Sequence, residues 1–242
     1  MDPSAMKPFG LALLDFHKGN KSAFYTIIRD DGSEEEVAAT DYFREPHGFT
    51  VLERTALDQC RGDVLDVGAG SGRHSLALQR RGLRVSAIDI SPEAVQVMRE
   101  TGVADAREAD VFQFGGGHFD TILMLGHGIG MAGDIEGLRK LLPHLRTLLR
   151  PKGQVLTDSV DPRASSDPRH LAYHEVNRRA GRYLGETRLS LRFKSQRGSA
   201  FGWLLVDPDT LANEAMAAGW TMETVQREAD GNYLARLICQ GS

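Results

Sequence analysis

Apolar and polar positions divide the middle of the chain into short apolar runs and longer segments of helical periodicity. Residues 119–125 (FDTILML) are almost entirely apolar, as expected of a strand that helices cover on both faces. The other predicted strands cover residues 64–67, 84–90, a short segment before Asp110, and 154–160. Strands that alternate with helices of this length form βαβ units. We therefore predict an α/β fold, doubly wound and Rossmann-like, with a mostly parallel seven-stranded sheet.

The helices between these strands have recognisable ends. One helix is predicted over about residues 73–80, and another begins with Ser91 as N-cap and Pro92 as its first helical residue. Six leucines between positions 138 and 149 keep helical spacing, so the next helix is predicted to continue until Pro151 and Gly153 end it. Pro143 lies inside that pattern and predicts a kink or a break between two helical pieces.

Both ends of the chain depart from the alternation. Residues 23–30 and 34–40 flank a turn-rich DDGS and predict a hairpin within an N-terminal cap segment, residues 1–48. After the fifth strand, residues 185–194 and 199–206 predict an extra β-hairpin around QRG, followed by a helix over 207–219 and a strand over 232–239. We expect one domain, residues 1–242, with a core at 49–160 and an elaborated segment at 161–242.

Composition excludes several protein classes. Hydrophobic residues make up 41% of the chain and charged residues 26%, which are ordinary globular values. The formal net charge of −4 argues against a general nucleic-acid binder. Two cysteines are too few for a disulfide framework, and no apolar run is long enough for a membrane span. We expect a cytoplasmic protein with no membrane partner, and a homo-oligomer is compatible with the sequence.

A glycine-rich turn follows the first core strand, where folds of this type bind ligands. Gly68, Gly70 and Gly72 form G-x-G-x-G, but Arg73 stands where a dinucleotide site would place its third small residue. Asp66, two residues before Gly68, would repel a pyrophosphate and suits a ligand with an ammonium group.

Two more carboxylates follow the next strands. Asp89 ends the second strand, where it can accept hydrogen bonds from both hydroxyls of an unphosphorylated ribose. Asp110 follows the third strand and could accept from an adenine amine, with Ile90 and Val111 on either side of the ring. An ammonium, a ribose and an adenine without phosphate are the parts of S-adenosylmethionine.

Five segments in order strengthen this interpretation: VLDVGAGSG, AIDIS, ADVFQF, FDTILMLGHGIG and LLRPKGQVLTDS. Together they resemble the motifs of class I S-adenosylmethionine-dependent methyltransferases over roughly residues 64–160. The resemblance implies that residues 49–160 bind the cofactor, which leaves as S-adenosyl-L-homocysteine, and that residues 161–242 lie on the substrate side. It implies these cofactor contacts: Asp66 and the backbone of Gly68, Ala69 and Gly70 on the methionine moiety, Asp89 and Ile90 beside the ribose and adenine, Asp110 and Val111 on the adenine, and the backbone of Leu125 or Gly126 near the sulfonium. The alternative is a purely structural turn with solvated acids.

His127 is the candidate catalytic residue. It follows the fourth strand in LGHG, a segment that resembles the LGN-type stretch of some small-molecule N-methyltransferases. A histidine there could deprotonate a hydroxyl or orient an amine. The alternative is a loop histidine held by backbone groups. No segment resembles the NPPY tetrad of nucleic-acid N-methyltransferases.

Other candidates carry less weight. His170 and His174 have i, i+4 spacing, but we predict a polar helix face and no metal site. His74 is expected to be partly exposed on its helix. The run Tyr42, Phe43 and Arg44 either lies over the cofactor, as N-terminal residues of related enzymes do, or packs the cap against the sheet.

The segment from Arg163 to Arg197 holds nine basic residues against three acids. It predicts either a pocket wall for an anionic acceptor, a patch that guides RNA, or a solvated hairpin face.

We expect a methyltransferase that acts on oxygen or nitrogen of a small metabolite. The alternatives are an RNA methyltransferase and a non-catalytic protein that binds S-adenosylmethionine.

Overall fold

The computed structural model describes residues 2–240. Within them the strands are β1 (Phe24–Arg29), β2 (Glu34–Ala38), β3 (Asp63–Val67), β4 (Arg84–Asp89), β5 (Ala106–Glu108), β6 (Phe119–Met124), β7 (Leu149–Val160), β8 (Glu186–Phe193), β9 (Gln196–Arg197), β10 (Phe201–Leu204), β11 (Trp220–Arg227) and β12 (Asn232–Cys239). The helices are α1 (Pro3–His17), α2 (Val51–Gln59), α3 (Arg73–Arg80), α4 (Pro92–Thr101), α5 (Ile135–Thr147), α6 (Pro168–Arg179) and α7 (Pro208–Ala217).

Seven strands form a mostly parallel sheet in the order β11-β12-β7-β6-β3-β4-β5. The pairs β3–β4, β4–β5 and β6–β7 are parallel, whereas β12 pairs antiparallel with both β7 and β11. The predicted α/β class and the mostly parallel seven-stranded sheet are confirmed. The strand β11 was not predicted from the sequence.

The chain divides into two compact units. The first comprises the residues up to Gly115 together with Arg188–Phe201, and the second comprises Gly116–Thr187 together with the residues from Gly202 onward. The first unit therefore contains β3, β4 and β5 with the glycine-rich turn. The second contains β6 and β7 with the loop that carries His127.

A second, smaller sheet has five strands, in the order β10-β8-β1-β2 with β9 paired to β8. The strand β1 pairs with β2 on one side and with β8 on the other, and β8 turns back into the two-residue strand β9. Gln196 and Arg197 therefore pair with β8, although the sequence predicted QRG as the turn between two longer strands. Lys194, with a φ of 53°, lies in the actual turn.

Helix α1 was also missed in the sequence, although its signals are present. Asp2 caps it by accepting a hydrogen bond from the Ser4 amide, and Pro3 is its first residue. Leu13 and Phe16 are buried in a cluster with Ala94 and Val97 of α4. The apolar positions of α1 thus follow helical spacing and cover one side of α4.

The boundary between α5 and β7 differs from the prediction. The helix α5 is one element with Pro143 inside it, so the predicted break is wrong, and it ends at Thr147 rather than near Pro151. The strand β7 already begins at Leu149. Its pairing with β6 shifts register between Phe119 and Thr121, so a bulge accommodates Pro151, which lacks a ladder donor.

None of the helices in the described part of the chain combines the length and apolar character that a bilayer crossing requires.

Candidate cofactor site

The turn between β3 and α3 needs glycine for two reasons. Gly68, Gly70 and Gly72 have φ values of 68°, 60° and 81°, in the left-handed region that glycine adopts freely. A Cβ on Gly72 would lie 2.6 Å from Cγ2 of Val103, and one on Gly70 would lie 3.4 Å from Cζ of Phe9. The turn therefore combines a special backbone conformation with close packing against its neighbours.

Asp89 connects the end of β4 to this turn. Its Oδ2 accepts a hydrogen bond from the Gly70 amide at 2.9 Å, and its Oδ1 accepts one from the Ser91 amide at 2.9 Å. Burial raises the pKa of Asp89 to about 6; these amide hydrogen bonds oppose the rise, and the charge of Asp66 adds to it. A carboxylate has about four acceptor positions, and the backbone amides of Gly70, Ser91 and Ile90 use up to three of them, so at least one remains.

Asp66 lies in β3, beneath the turn. It is 2% exposed, and its Oδ2 accepts a 2.6 Å hydrogen bond from the hydroxyl of Ser75 on α3. Burial raises the pKa of Asp66, while the charge of His74 and the hydrogen bond from Ser75 oppose the rise. The structure thus brings two buried carboxyl groups to the same turn, each with remaining acceptor capacity.

The predicted adenine contacts follow β4 and β5, which pair in parallel with Asp89 beside Glu108. Ile90 is half-buried and Val111 is buried. Asp110 is half-buried, and its Oδ1 accepts a hydrogen bond from the Phe112 amide at 3.0 Å. Because the carboxyl ends of parallel neighbours meet at one sheet edge, the structure brings these residues to the edge that holds Asp89.

The N-terminal segment lies against the glycine turn. The Ser71 hydroxyl donates to the carbonyl of Tyr42, and a Cβ on Gly70 would lie 3.6 Å from Cδ1 of Tyr42. The Tyr42 hydroxyl is 2.7 Å from that of Tyr25. The ring of Phe43, in contrast, stacks on that of Phe16 in α1, with 4.5 Å between the ring centroids.

Glu53 is at the centre of a buried ion cluster that was not predicted from the sequence. One of its oxygens lies 2.6 Å from Nη2 of Arg73, 3.0 Å from Nε2 of His74 and 3.3 Å from Nη2 of Arg44. Burial alone would raise the pKa of Glu53, but the His74 hydrogen bond and the Arg73 charge lower it to about 2. His74 is buried, so the prediction of partial exposure is wrong. Its partner Glu53 lies on a different helix, α2, and the pattern of α3 alone does not reveal it.

Leu125, Gly126 and His127 belong to the loop after β6, in the second unit. Leu125 is buried and Gly126 is exposed. The amides of Gly126 and Gly128 donate to the two oxygens of Asp158 at 3.2 and 3.1 Å. Burial raises the pKa of Asp158, and the charge of His127 and the loop amides oppose the rise. A buried carboxylate thus holds this loop by its backbone.

His127 has a left-handed backbone, with a φ of 58°. Its ring is half-buried, and Nε2 lies 2.9 Å from Oδ1 of Asn232 at the start of β12. The histidine is thus held by a side chain as well as by the loop, a constraint that the sequence alone did not reveal, since Asn232 is 105 residues away.

His170 and His174, the i, i+4 pair on α6, do not belong to a cluster of potential metal ligands among the described residues. His170 shares a 3.1 Å hydrogen bond with the Ser165 hydroxyl, whereas His174 is buried, so the prediction of a polar face is wrong for His174. Among residues 2–240, no cluster of three or more histidine, cysteine or acidic side chains could hold a metal ion.

Comparisons with known proteins identify the family of this chain. A family described as a methyltransferase domain matches residues 64–153. The crystal structure of an S-adenosylmethionine-dependent methyltransferase from Bacteroides fragilis, in complex with S-adenosyl-L-homocysteine, is similar over 99% of this chain and 97% of its own, at 36% identity and a TM-score of 0.86.

Two curated relatives match over shorter stretches. A ubiquinone biosynthesis O-methyltransferase from Xanthomonas euvesicatoria pv. vesicatoria is 31% identical over 159 residues, 61% of this chain and 63% of that protein. One from Xylella fastidiosa is 47% identical over 60 residues, 25% of this chain and 24% of that protein. The chain thus matches less than two thirds of either relative's length. With the near-complete match to the Bacteroides enzyme, the chain belongs to the S-adenosylmethionine-dependent methyltransferases, and S-adenosylmethionine is its cofactor.

Proposed function

We propose that this methyltransferase acts on an oxygen or nitrogen atom of a small metabolite. The ubiquinone biosynthesis name of the curated relatives supports an acceptor of this class. We also propose that the protein works in the cytoplasm as one domain, residues 1–242, with residues 49–160 as its cofactor-binding core and residues 161–242 on the substrate side.

The observation that carries the choice of a small acceptor over RNA concerns the basic segment. Of its nine basic residues, six lie within ion-pair distance of a carboxylate of their own unit: Arg163, Arg169, Arg178, Arg179, Arg192 and Lys194. Several partners, among them Asp15 and Glu34, lie outside the segment, so its local sequence overstates its charge. Paired cations attract a phosphate backbone less than free ones. The same pairing favours a neutral acceptor over an anionic one.

The first unit supplies most of the proposed contacts to the cofactor. The Asp89 carboxylate has at least one acceptor position left for a ribose hydroxyl, and the buried Asp66 favours an ammonium group by its charge. Gly68, Ala69 and Gly70 would present backbone to the methionine moiety, with Ile90, Asp110 and Val111 around the adenine. The backbone of Leu125 or Gly126 would lie near the sulfonium.

The residues before position 49 are proposed as a cap on the glycine turn. Tyr42 contacts the turn through Ser71 and Gly70, and Arg73 donates to the carbonyl of Asp41. The hairpin of β8 and β9 extends the cap, because β8 pairs with β1. A cap of this kind would exclude water from the cofactor, which strengthens the electrostatic interactions around it.

In the proposed reaction, the bound cofactor supplies a methyl group on a positively charged sulfur, so the leaving group is already activated. The protein's main contribution is to align the acceptor, and alignment alone can supply roughly 7–11 kcal/mol. His127 is proposed to accept the proton that the acceptor loses. General-base assistance of this type contributes typically about 10²–10⁴-fold.

The test is methyl transfer from labelled S-adenosylmethionine to a broad panel of metabolites and, in parallel, to tRNA and rRNA. We expect S-adenosyl-L-homocysteine to form with at least one hydroxyl- or amine-bearing metabolite and not with RNA. His127→Asn should lower kcat about 100-fold or more and leave cofactor binding unchanged. Methylation of RNA with no turnover on any metabolite would overturn the proposal.

A further inference from the structure

Asn232 is held in one orientation by Asp230. Its side-chain Nδ2 donates to Asp230 Oδ2 at 2.8 Å, and its backbone amide donates to Asp230 Oδ1 at 3.0 Å. These hydrogen bonds lower the pKa of Asp230, and the one from the backbone amide contributes most. The Asp230 carboxylate is therefore ionised at neutral pH, and it can accept hydrogen bonds but cannot donate them. The nitrogen of the Asn232 amide must therefore face Asp230.

The orientation of this amide fixes a proton on His127. Oδ1 of Asn232 is left for the imidazole, and it lies 2.9 Å from Nε2 of His127. An amide oxygen cannot donate, so Nε2 must carry the hydrogen. In a neutral imidazole one ring nitrogen donates and the other accepts, so Nδ1 carries the lone pair.

The backbone of His127 is fixed independently of its ring. Asp158 accepts from the amides on both sides of it, those of Gly126 and Gly128, and is itself only 7% exposed. The backbone position and the ring orientation thus have separate supports, and only the second depends on Asn232.

We propose that Asn232 is a positioning residue that fixes the tautomer of His127, so that Nδ1 is the nitrogen that takes the proton from the acceptor. The inference rests on the proposed catalytic role of His127. As the bond from the acceptor atom to the methyl carbon forms and the carbon–sulfur bond breaks, the acceptor's proton would move to Nδ1, while Nε2 keeps its hydrogen and donates it in the hydrogen bond to Oδ1 of Asn232. The resulting imidazolium would keep its hydrogen bond to the amide oxygen, and its charge would interact with the carboxyl groups of Asp158 and Asp230.

The test uses the full chain labelled with 15N-histidine, whose two ring nitrogens give different signals in each tautomer. The His127 signals are those that disappear in His127→Asn. We expect wild type to hold hydrogen on Nε2. Asn232→Leu, which removes the acceptor, should lose that preference and lower kcat roughly fivefold, the effect of one ordinary hydrogen bond, with KM for S-adenosylmethionine unchanged. Asn232→Asp keeps an acceptor and should retain the Nε2–H form.

The outcomes separate this inference from the proposed function. Hydrogen on Nδ1 in wild type, or an unchanged tautomer in Asn232→Leu, would overturn the role of Asn232. If the tautomer responds as expected but His127→Asn keeps full kcat, Asn232 still orients the ring and the proposed base is wrong. If Asn232→Leu does not fold, Asn232→Asp and the wild-type spectrum still decide the tautomer.

Discussion

The carboxylate of Asp89 accepts a hydrogen bond from the amide of Gly70 at 2.9 Å and so joins the end of β4 to the turn after β3. The same carboxylate also caps the Ser91 amide at the start of α4. Asp89 is 6% exposed, and burial raises the pKa of its carboxyl group to about 6. One side chain therefore orders the turn and, in our proposal, presents its remaining acceptor capacity to a ribose.

The raised pKa of Asp89 predicts that cofactor affinity depends on pH. The ionised carboxylate accepts a hydrogen bond from a ribose hydroxyl more strongly than the protonated form does, so binding should be strong above pH 6 and weaken as the pH falls below it. We expect the Kd for S-adenosyl-L-homocysteine to rise about tenfold between pH 7 and pH 5, by proton linkage. Calorimetric titrations across this range measure the effect.

Asp89→Asn is the control for that titration, because it cannot ionise. Its affinity should be lower at pH 7 and nearly independent of pH. Any dependence of the Kd on pH that remains in this variant would come from the titration of Asp66, whose pKa is also raised by burial. A wild-type Kd that stays constant from pH 7 to pH 5 would contradict the assignment of Asp89.

The glycine turn offers a matched pair of variants. Gly72 and Gly82 have similar φ values, 81° and 84°, but a Cβ on Gly72 would lie 2.6 Å from Val103, whereas one on Gly82 meets nothing within 4 Å. Gly82→Ala should cost about 1–2 kcal/mol of unfolding free energy from backbone strain alone. Gly72→Ala should cost a further ~1–3 kcal/mol for overpacking. Equal losses in urea unfolding would show that close packing is unimportant there.

The lowered pKa of Glu53 predicts that its contribution to the free energy of unfolding depends on pH. Its pKa falls from an ordinary 4.5 to about 2 in the folded protein, so the stabilisation is fully present above pH 4.5 and is lost as the pH falls toward 2. A shift of this size corresponds to roughly 3 kcal/mol. Glu53→Gln should therefore be destabilised by about that amount at pH 7, with the difference from wild type narrowing below pH 4.5.

Asp58→Asn provides the control for Glu53, because it removes an exposed ion pair with Arg81 instead of a buried one. Exposed pairs of this type contribute little, about 0–1 kcal/mol. Chemical denaturation of both variants at pH 7 and pH 3.5 makes the comparison. A Glu53→Gln loss no larger than that of Asp58→Asn would argue against the buried cluster.

Neighbouring residues of β7 should respond in opposite ways. Asp158 accepts from two loop amides, so Asp158→Asn, which turns one acceptor into a donor, should cost about 1–3 kcal/mol. The buried hydroxyl of Thr157 has no hydrogen-bond partner among the described residues, so Thr157→Val should be neutral or stabilising. Thermal unfolding of the two variants checks the contrast, and a larger loss in Thr157→Val would contradict it.

Local signals in the sequence were sufficient for the core elements. The Ser91–Pro92 start of α4 and the bounds of α3 match the structure, because caps and glycines act within a few residues. The end of α5 was misplaced because Leu148 and Leu149 continue the helical spacing, and only pairing with β6 selects a strand there. An apolar run of that length does not distinguish helix from strand.

Interactions distant along the chain account for what the sequence missed. The burial of His74 depends on Glu53 in α2, and the setting of His127 depends on Asn232 in β12. The basic segment looked unpaired because Asp15 and Glu34 lie more than a hundred residues before Arg192 and Lys194. Side-chain pairs of this kind leave no periodic or local pattern, so a single sequence does not predict them.

Binding of S-adenosyl-L-homocysteine to wild type and to Asp89→Ala, measured by calorimetry at pH 7.5, tests the central claim most directly. Wild type should bind it and should not bind NAD, and at a hundred times Kd the ligand should add about 2.7 kcal/mol to the unfolding free energy. Asp89→Ala should remain folded, as its circular dichroism and unliganded melting would show, but should lose this binding. Equal affinity in the two proteins, or binding of NAD in preference, would contradict the account.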